Sequence, residues 1–191
     1  MASAAEQLAK NLNFATFAKA KALQQRIWFT IGALIVFRLG TYIPIPGIDP
    51  AAYAQTFNSA SKGIFGMFDL LSGGAVQRMA IFALNLIPYI TASIVVQVIQ
   101  TASPKLEALK KEGESGRRKI NQYTRYLAVV FTVVQAYGIA AGLEGSQGVV
   151  LHPGWFFRLT TVMSLVGGTM FLMWVGEQIT SRGVGNGITL I

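Results

Sequence analysis

Hydrophobic positions along the chain fall into long unbroken runs rather than into alternating or one-faced patterns. Apolar residues dominate 26–43, 79–99, 127–143 and 155–174. Runs of about 20 residues predict helices that cross a bilayer, whose hydrocarbon core is about 30 Å thick. A fifth run opens at 188–191 and is cut by the chain's end, so the sequence reads as a fragment of a longer protein. One further run is too short to span. Ile64-Phe65-Gly66-Met67-Phe68-Asp69-Leu70-Leu71 is closed by Ser72-Gly73-Gly74 and precedes the 79–99 run, which carries Pro88 near its middle. A half-length segment ahead of a proline-interrupted span predicts irregular backbone at membrane depth. Such backbone is tolerated only where protein or a water-filled cavity surrounds it.

The polar segments punctuate this pattern. Residues 1–25 are mixed and basic. Ser3 with Glu6 fits a capping box, and Leu8, Leu12 and Phe17 among lysines fit either an amphipathic helix on a membrane surface or a solvated tail. The first span holds Arg38 about two-thirds along. A central arginine costs roughly 2.5–3.5 kcal/mol on insertion scales, so it either snorkels to the far surface, the favoured reading, or faces other helices. The alternating prolines of Ile43-Pro44-Ile45-Pro46-Gly47 predict an extended exit. Residues 49–63 read as a loop with a helical turn through Ala51 to Phe57. Residues 101–126 form the longest polar segment, helix-like from Leu106 to Lys111 and interrupted at Gly113 and Gly116. Gly167-Gly168 inside the fourth span permits close approach of another helix. Residues 177–187 read as a polar turn.

Composition agrees with a membrane class. Of 191 residues, 52% are hydrophobic and 13% charged, against about 25% charged in soluble domains; mean hydropathy is +0.48. The absence of cysteine excludes disulfides and thiolate metal sites, and the single histidine, His152, argues against a histidine relay. The net charge of +8 is not spread as a nucleic-acid face. Residues 1–26, the 101–126 loop and the Arg182 turn hold 12 of the 16 lysines and arginines. An even number of spans separates these regions, so the positive-inside rule puts all three, and the N-terminus, in the cytoplasm. The short apolar run then enters from the opposite side.

Catalytic signals are weak. Gly183-Val184-Gly185-Asn186-Gly187 lacks the spacing of a dinucleotide loop and follows a membrane helix, so it reads as a tight turn. Asp69 reads as a proton or cation ligand, or as an acid in a wet vestibule, with no second acid nearby in sequence. In the 79–99 run, Pro88 predicts a bend. Leu86 and Ile90, four apart, share one face and fit either an apolar constriction that gates by dewetting or contacts to lipid and neighbours. Asn85, Thr91 and Ser93 add polar groups beside them. A secondary transporter with a midplane site at the broken helix is the alternative from another class.

The run GESGRRKINQYTRY at 113–126 resembles the first large cytoplasmic loop of the bacterial SecY family, the central subunit of the Sec protein-conducting channel. FR at 37–38 with IPIPGI at 43–48, PYI at 88–90, and GTMFLMW at 168–174 with GEQIT at 176–180 agree in order and spacing. The resemblance implies an all-α polytopic membrane fold, the N-terminal half of a SecY-type channel, with four transmembrane helices, the start of a fifth and a short re-entrant plug helix. The channel domain would cover 26–191. The plug would be about 64–78, carried by Ile64, Phe65, Met67, Phe68, Asp69, Leu70 and Leu71. Leu86 and Ile90 would contribute to the apolar pore ring, and the helices at 79–99 and 127–143 would form one wall of a lateral gate. Implied partners are the SecE and SecG subunits, the SecA motor or a ribosome, translocating polypeptides with their signal sequences, and membrane lipid. Lys110, Lys111, Arg117, Arg118 and Lys119 are candidate loop contacts. No catalytic residue, metal or cofactor is implied, and the location would be the bacterial inner membrane. Asn85 departs from the small residue expected at its position.

Overall fold

The computed structural model describes residues 21–60, 64–146 and 148–191. The N-terminal amphipathic segment, with Ser3, Glu6, Leu8, Leu12 and Phe17, lies outside the described residues as far as position 20. The chain divides into two compact units, Met1–Val36 with Val175–Ile191, and Phe37–Trp174. The regular elements are helices: α1 (Lys21–Gly40), α2 (Pro50–Ala60), α3 (Ile64–Leu71), α4 (Ile87–Ala102), α5 (Pro104–Lys111), α6 (Glu114–Glu144), α7 (Trp155–Arg182) and α8 (Gly187–Leu190). Among the described residues, α6 and α7 are each long and apolar enough to cross a membrane.

In the first unit, the turn after α7 is held by hydroxyls and a guanidinium. Arg26 donates to the Gly183 carbonyl at 3.4 Å, and the Val184 N–H donates to Thr30 Oγ1 at 3.1 Å. Asn186 caps α8, its side chain accepting from the Ile188 N–H. The glycine-rich run is therefore a turn, as expected, but a shorter one. Helix α7 continues to Arg182, so the polar stretch from Glu177 is mostly helical.

The second unit is organised around the extended exit from α1. The Ile45 N–H donates to the Met79 carbonyl, and the Ile81 N–H donates to the Ile43 carbonyl, both at 3.0 Å. On the far side, Asp49 donates to Val149 and Leu151 donates to Gly47, at 2.9 and 3.1 Å. The exit is thus flanked by antiparallel bridges at Pro44–Ala80 and Ile48–Val150, and Ile45 is buried at its centre. The loop expected over 49–63 is mostly α2: Pro50 supplies a preset first turn, and Asp49 Oδ1 accepts from the Ala51 and Ala52 N–H groups.

The 79–99 run is not one bent helix. Residues 79–86 are a chain of turns, and α4 starts only at Ile87, with Pro88 in its first turn. Proline lacks the N–H that a helix interior needs, but first-turn N–H groups have no intrahelical partner, so Pro88 opens the helix instead of kinking it. Met79 and Asn85 take φ of 46° and 48°. The second value explains the residue type. A left-handed backbone selects glycine or asparagine, so Asn85 meets the same constraint as the smaller residue expected there.

These turns are clamped closely. The Phe82 ring stacks between Phe37 and Phe171, with centroids 6.0 and 5.9 Å away. A Cβ on Gly40 would collide with the Phe82 ring, and one on Gly168 with the Ile81 carbonyl. Gly168 does permit close approach, but of the turn segment rather than of another helix. Helix α4 packs along α6; Ala92 and Val96 are buried on the one and Ala128 and Thr132 on the other, small residues of the kind that bring membrane helices together, while Ala136 and Ala140 join the core with Met79, Ala83 and Leu84. Helix α6 begins at Glu114 rather than near Leu127. Gly113, at φ 77°, breaks the chain before it, whereas Gly116 lies inside it, buried where a side chain would collide with the Leu109 carbonyl.

Gly168→Ala is expected to destabilise the full-length protein by about 2 kcal/mol or more through backbone overpacking. Gly167→Ala, where no atom lies within 4 Å of the added Cβ, should be neutral or slightly stabilising. Thermal unfolding in detergent compares the two; equal losses would remove the close approach at Gly168.

Candidate functional site

The short apolar run folds as the eight-residue helix α3, carrying Ile64, Phe65, Met67, Phe68, Asp69, Leu70 and Leu71. Met67 and Leu70 are exposed, at 68% and 84%. The helix ends because Gly73 and Gly74 both take left-handed conformations, at φ 63° and 86°. The Gly74 N–H donates to the Asp69 carbonyl at 2.9 Å. Asp69 is then committed to the backbone: its Oδ1 accepts from the Gln77 N–H at 2.8 Å. It acts as a cap across the turn, which deprives the carrier reading of its candidate ion ligand. The Tyr53 hydroxyl donates to the Val76 carbonyl at 2.9 Å. Burial, with the Asp69 charge adding to it, pushes the Tyr53 phenol up to about 12.

Arg38 does not simply snorkel. Its Nη1 donates to the Gly73 carbonyl at 2.7 Å, and its guanidinium lies 6.0 Å from the Tyr42 ring centroid. Arg78 lies over the same ring at 4.3 Å. Sequence reasoning missed this cluster. Its signal was present in Ser72-Gly73-Gly74, a turn whose last carbonyls need donors, with one arginine near a span's end to supply them.

Leu86 and Ile90 sit one helical turn apart, the Ile90 N–H donating to the Leu86 carbonyl at 2.9 Å. Their settings differ. Leu86 precedes α4 as its N-cap and is buried, whereas Ile90 is 47% exposed. Beside them a cavity of ≈ 650 Å³ lies between α2, residues 76–87 and α6, lined largely by apolar groups such as Phe57, Met79, Leu84 and Ile139. The basic candidates are separate from this region. Lys110 and Lys111 end α5, and Arg117, Arg118 and Lys119 lie in the first turns of α6, all exposed. Lys111 and Arg118 form exposed pairs with Glu107 and Glu114 at 2.9 and 2.8 Å, worth about 0.3–0.5 kcal/mol each. At the other end of α6, Glu144 accepts from Arg158 at 2.6 Å and from the Gly154 N–H at 3.0 Å. Arg158 also reaches the Tyr137 hydroxyl at 3.3 Å.

Among the described residues no group of acids, histidines or cysteines could hold a metal. Two membrane-length helices, a half-length helix and an irregular segment clamped between them define the class: an all-α polytopic membrane protein. A family model described as SecY matches residues 80–191. The chain is 56% identical over 172 residues to the "Protein translocase subunit SecY" of Escherichia coli (strain K12), covering 88% of this chain and 39% of that protein. The proteins of the same name from Rickettsia typhi and from Buchnera aphidicola subsp. Acyrthosiphon kondoi are 56% and 55% identical, again over 88% of this chain and over 40% and 48% of theirs. The chain belongs to the SecY family, and it spans less than half the length of these relatives.

The Arg158 hydrogen bond, with the Gly154 N–H and the Arg158 charge, holds the Glu144 carboxyl below its usual range. Its folded value is depressed, so its contribution is present above the unfolded value of about 4.3 and lost as pH falls through the folded one. Glu144→Gln should therefore melt lower than the parent at pH 7, with the difference closing below about pH 4; a difference independent of pH would assign the effect to packing.

Proposed function

We propose that this chain is the first half of the pore-forming subunit of a protein-conducting channel, which passes secretory chains across the cytoplasmic membrane and releases membrane segments sideways into lipid. The observation that carries this reading is the sequence α3, glycine turn, turn segment 79–86, α4. It delivers a short apolar helix with exposed Met67 and Leu70, and then Leu86 and Ile90, within one continuous stretch. Residues 64–78 act as the plug. Ile90, exposed at the start of α4, presents an apolar side chain to the pore, and Leu86 supports it from the packed side. Helices α4 and α6 form one wall of the lateral gate. A passage for unfolded chains needs an apolar seal and a removable stopper rather than ligands or a nucleophile, so the subunit performs no chemistry itself.

The relatives' printed name supports translocation, and a translocase subunit implies others. Partners of the SecE and SecG type complete the channel, and a SecA motor or a ribosome supplies the chain. The N-terminus is cytoplasmic, by the positive-inside rule. The 31 residues of α6 extend roughly 46 Å, some 16 Å beyond a bilayer core. Their basic end, with Arg117, Arg118 and Lys119, therefore stands clear of the hydrocarbon on the cytoplasmic side as a secondary contact.

Changing Leu86 and Ile90 to glycine in the complete channel should make it leak small ions at rest in planar bilayers. Ile90→Gly alone should leak with little loss of stability, whereas Leu86→Gly should also cost about 2–5 kcal/mol through cavity formation. Unchanged resting conductance in the double variant would remove both residues from the seal. Separately, cysteines at Phe68 and Ile90 should crosslink in the closed channel and lose that crosslink when a chain is trapped in transit. Crosslinking of position 68 to lipid-facing positions only would overturn the plug.

A further inference from the structure

The turn that ends α3 is held both from within the segment and from outside it. From inside, Asp69 Oδ1 accepts from Gln77, and Ser72 Oγ donates to the Asp69 carbonyl and accepts from the Val76 N–H. These bonds fix the shape of residues 69–77 but do not attach them to anything else. Two grips come from outside: the Tyr53 hydroxyl, which donates to the Val76 carbonyl at 2.9 Å at the far end of the turn, and Arg38 beside the helix itself. Arg38 Nη1 meets the Gly73 carbonyl at 2.7 Å, across 35 positions of sequence. Its own placement is fixed at the backbone, because Thr41 is fully buried and its hydroxyl donates to the Arg38 carbonyl at 2.6 Å. Gly73 leaves room for the contact. A Cβ there would stand 2.5 Å from Arg38 Nη1, so the left-handed glycine both ends α3 and admits the guanidinium.

We propose that Arg38 is the clasp that holds α3 in place, a positioning residue acting through the Gly73 carbonyl. This explains why a costly cation is kept near the end of a spanning helix: a guanidinium supplies a strong donor to a backbone carbonyl that the turn leaves over. Such a bond is strong enough to steady the adjoining eight-residue helix and weak enough to release it. Breaking the Arg38–Gly73 contact loosens α3 and the start of its turn, while the Tyr53–Val76 bond still holds the turn's far end. The inference rests on the reading of residues 64–78 as the pore's stopper.

The test uses the complete channel with its partner subunits, spin-labelled at Met67→Cys, an exposed position. Arg38→Gln should shift the ratio of immobile to mobile label about three- to tenfold toward mobile, the population change expected for one hydrogen bond. Resting ion conductance should rise with it. Arg38→Lys, which keeps the charge but not the fork, should fall between parent and Arg38→Gln. Gly73→Ala, which keeps the arginine and displaces it, should reproduce the effect, and the double variant should be no worse than either single change. Should Arg38→Gln fail to assemble, Arg38→Lys decides, since Gly73→Ala also strains the left-handed turn. Unchanged label mobility in assembled Arg38→Gln or Gly73→Ala channels would overturn the clasp, as would strictly additive effects of the two changes. Increased mobility with unchanged conductance would establish the clasp and overturn the stopper reading.

Discussion

The structure depends on how the backbone of residues 79–86 is satisfied. A segment without helical hydrogen bonds is unaffordable in hydrocarbon unless each N–H and C=O finds a partner. Here the partners are found in sequence. Met79, Ala80, Ala83, Asn85 and Ile87 donate within the turns, and Ile81 donates to Ile43. The Met79 carbonyl is taken by Ile45. The extended exit from α1 is thus what makes the irregular segment possible, and it can serve because its two prolines hold it out of helix. The same exit is tied at its other end to residues 149–151, so the connection between α6 and α7 shares that support.

Packing follows from this arrangement. Turns are thinner than a helix, so neighbouring elements must come closer to close the gap. Glycine at 40 and 168 permits that approach, and the Phe37–Phe82–Phe171 stack fills the space on either side. Offset and stacked rings contribute about 0.5–1.5 kcal/mol per pair beyond area burial, and here they also fix the rotation of the turn segment. Helix α4 then starts from a held position, and its Ala92 and Val96 meet the small-residue face of α6. A rigid start for α4 matters for the proposed seal, because Ile90 lies only one turn into it.

The membrane class, the third and fourth spans and the half-length helix were legible in the sequence because each rests on run length and on Gly or Pro punctuation. The extended exit was legible from its prolines, and the turn after α7 from its glycines. What could not be read was where a helix starts inside a mostly apolar run. The polar residues of 79–99, Asn85, Thr91, Ser93 and Gln97, are scattered singly and mark no boundary, and Pro88 fits a kink or a first turn equally well on sequence. The difference is decided by Ile43 and Ile45, which offer partners to residues 79 and 81 from more than 30 positions away. Helix α6 was underestimated for the opposite reason. Its first turns are polar and so read as loop, although Gly113 alone carries the left-handed conformation that breaks the chain.

Asp69 and Arg38 show how an ionisable residue near a membrane is to be weighed. Both stood out in the sequence as charges among apolar neighbours, and such residues suggest ion or proton pathways by default. In the fold both spend their charge on backbone: Asp69 on the Gln77 N–H, Arg38 on the Gly73 carbonyl. A helix end and a double-glycine turn leave donors and acceptors that apolar surroundings cannot satisfy, and a carboxylate and a guanidinium are the side chains that can. The charges therefore follow from the need to end a short helix abruptly. The proposed stopper, leaving and returning intact, would need such an end, since a frayed one would expose new backbone at every opening.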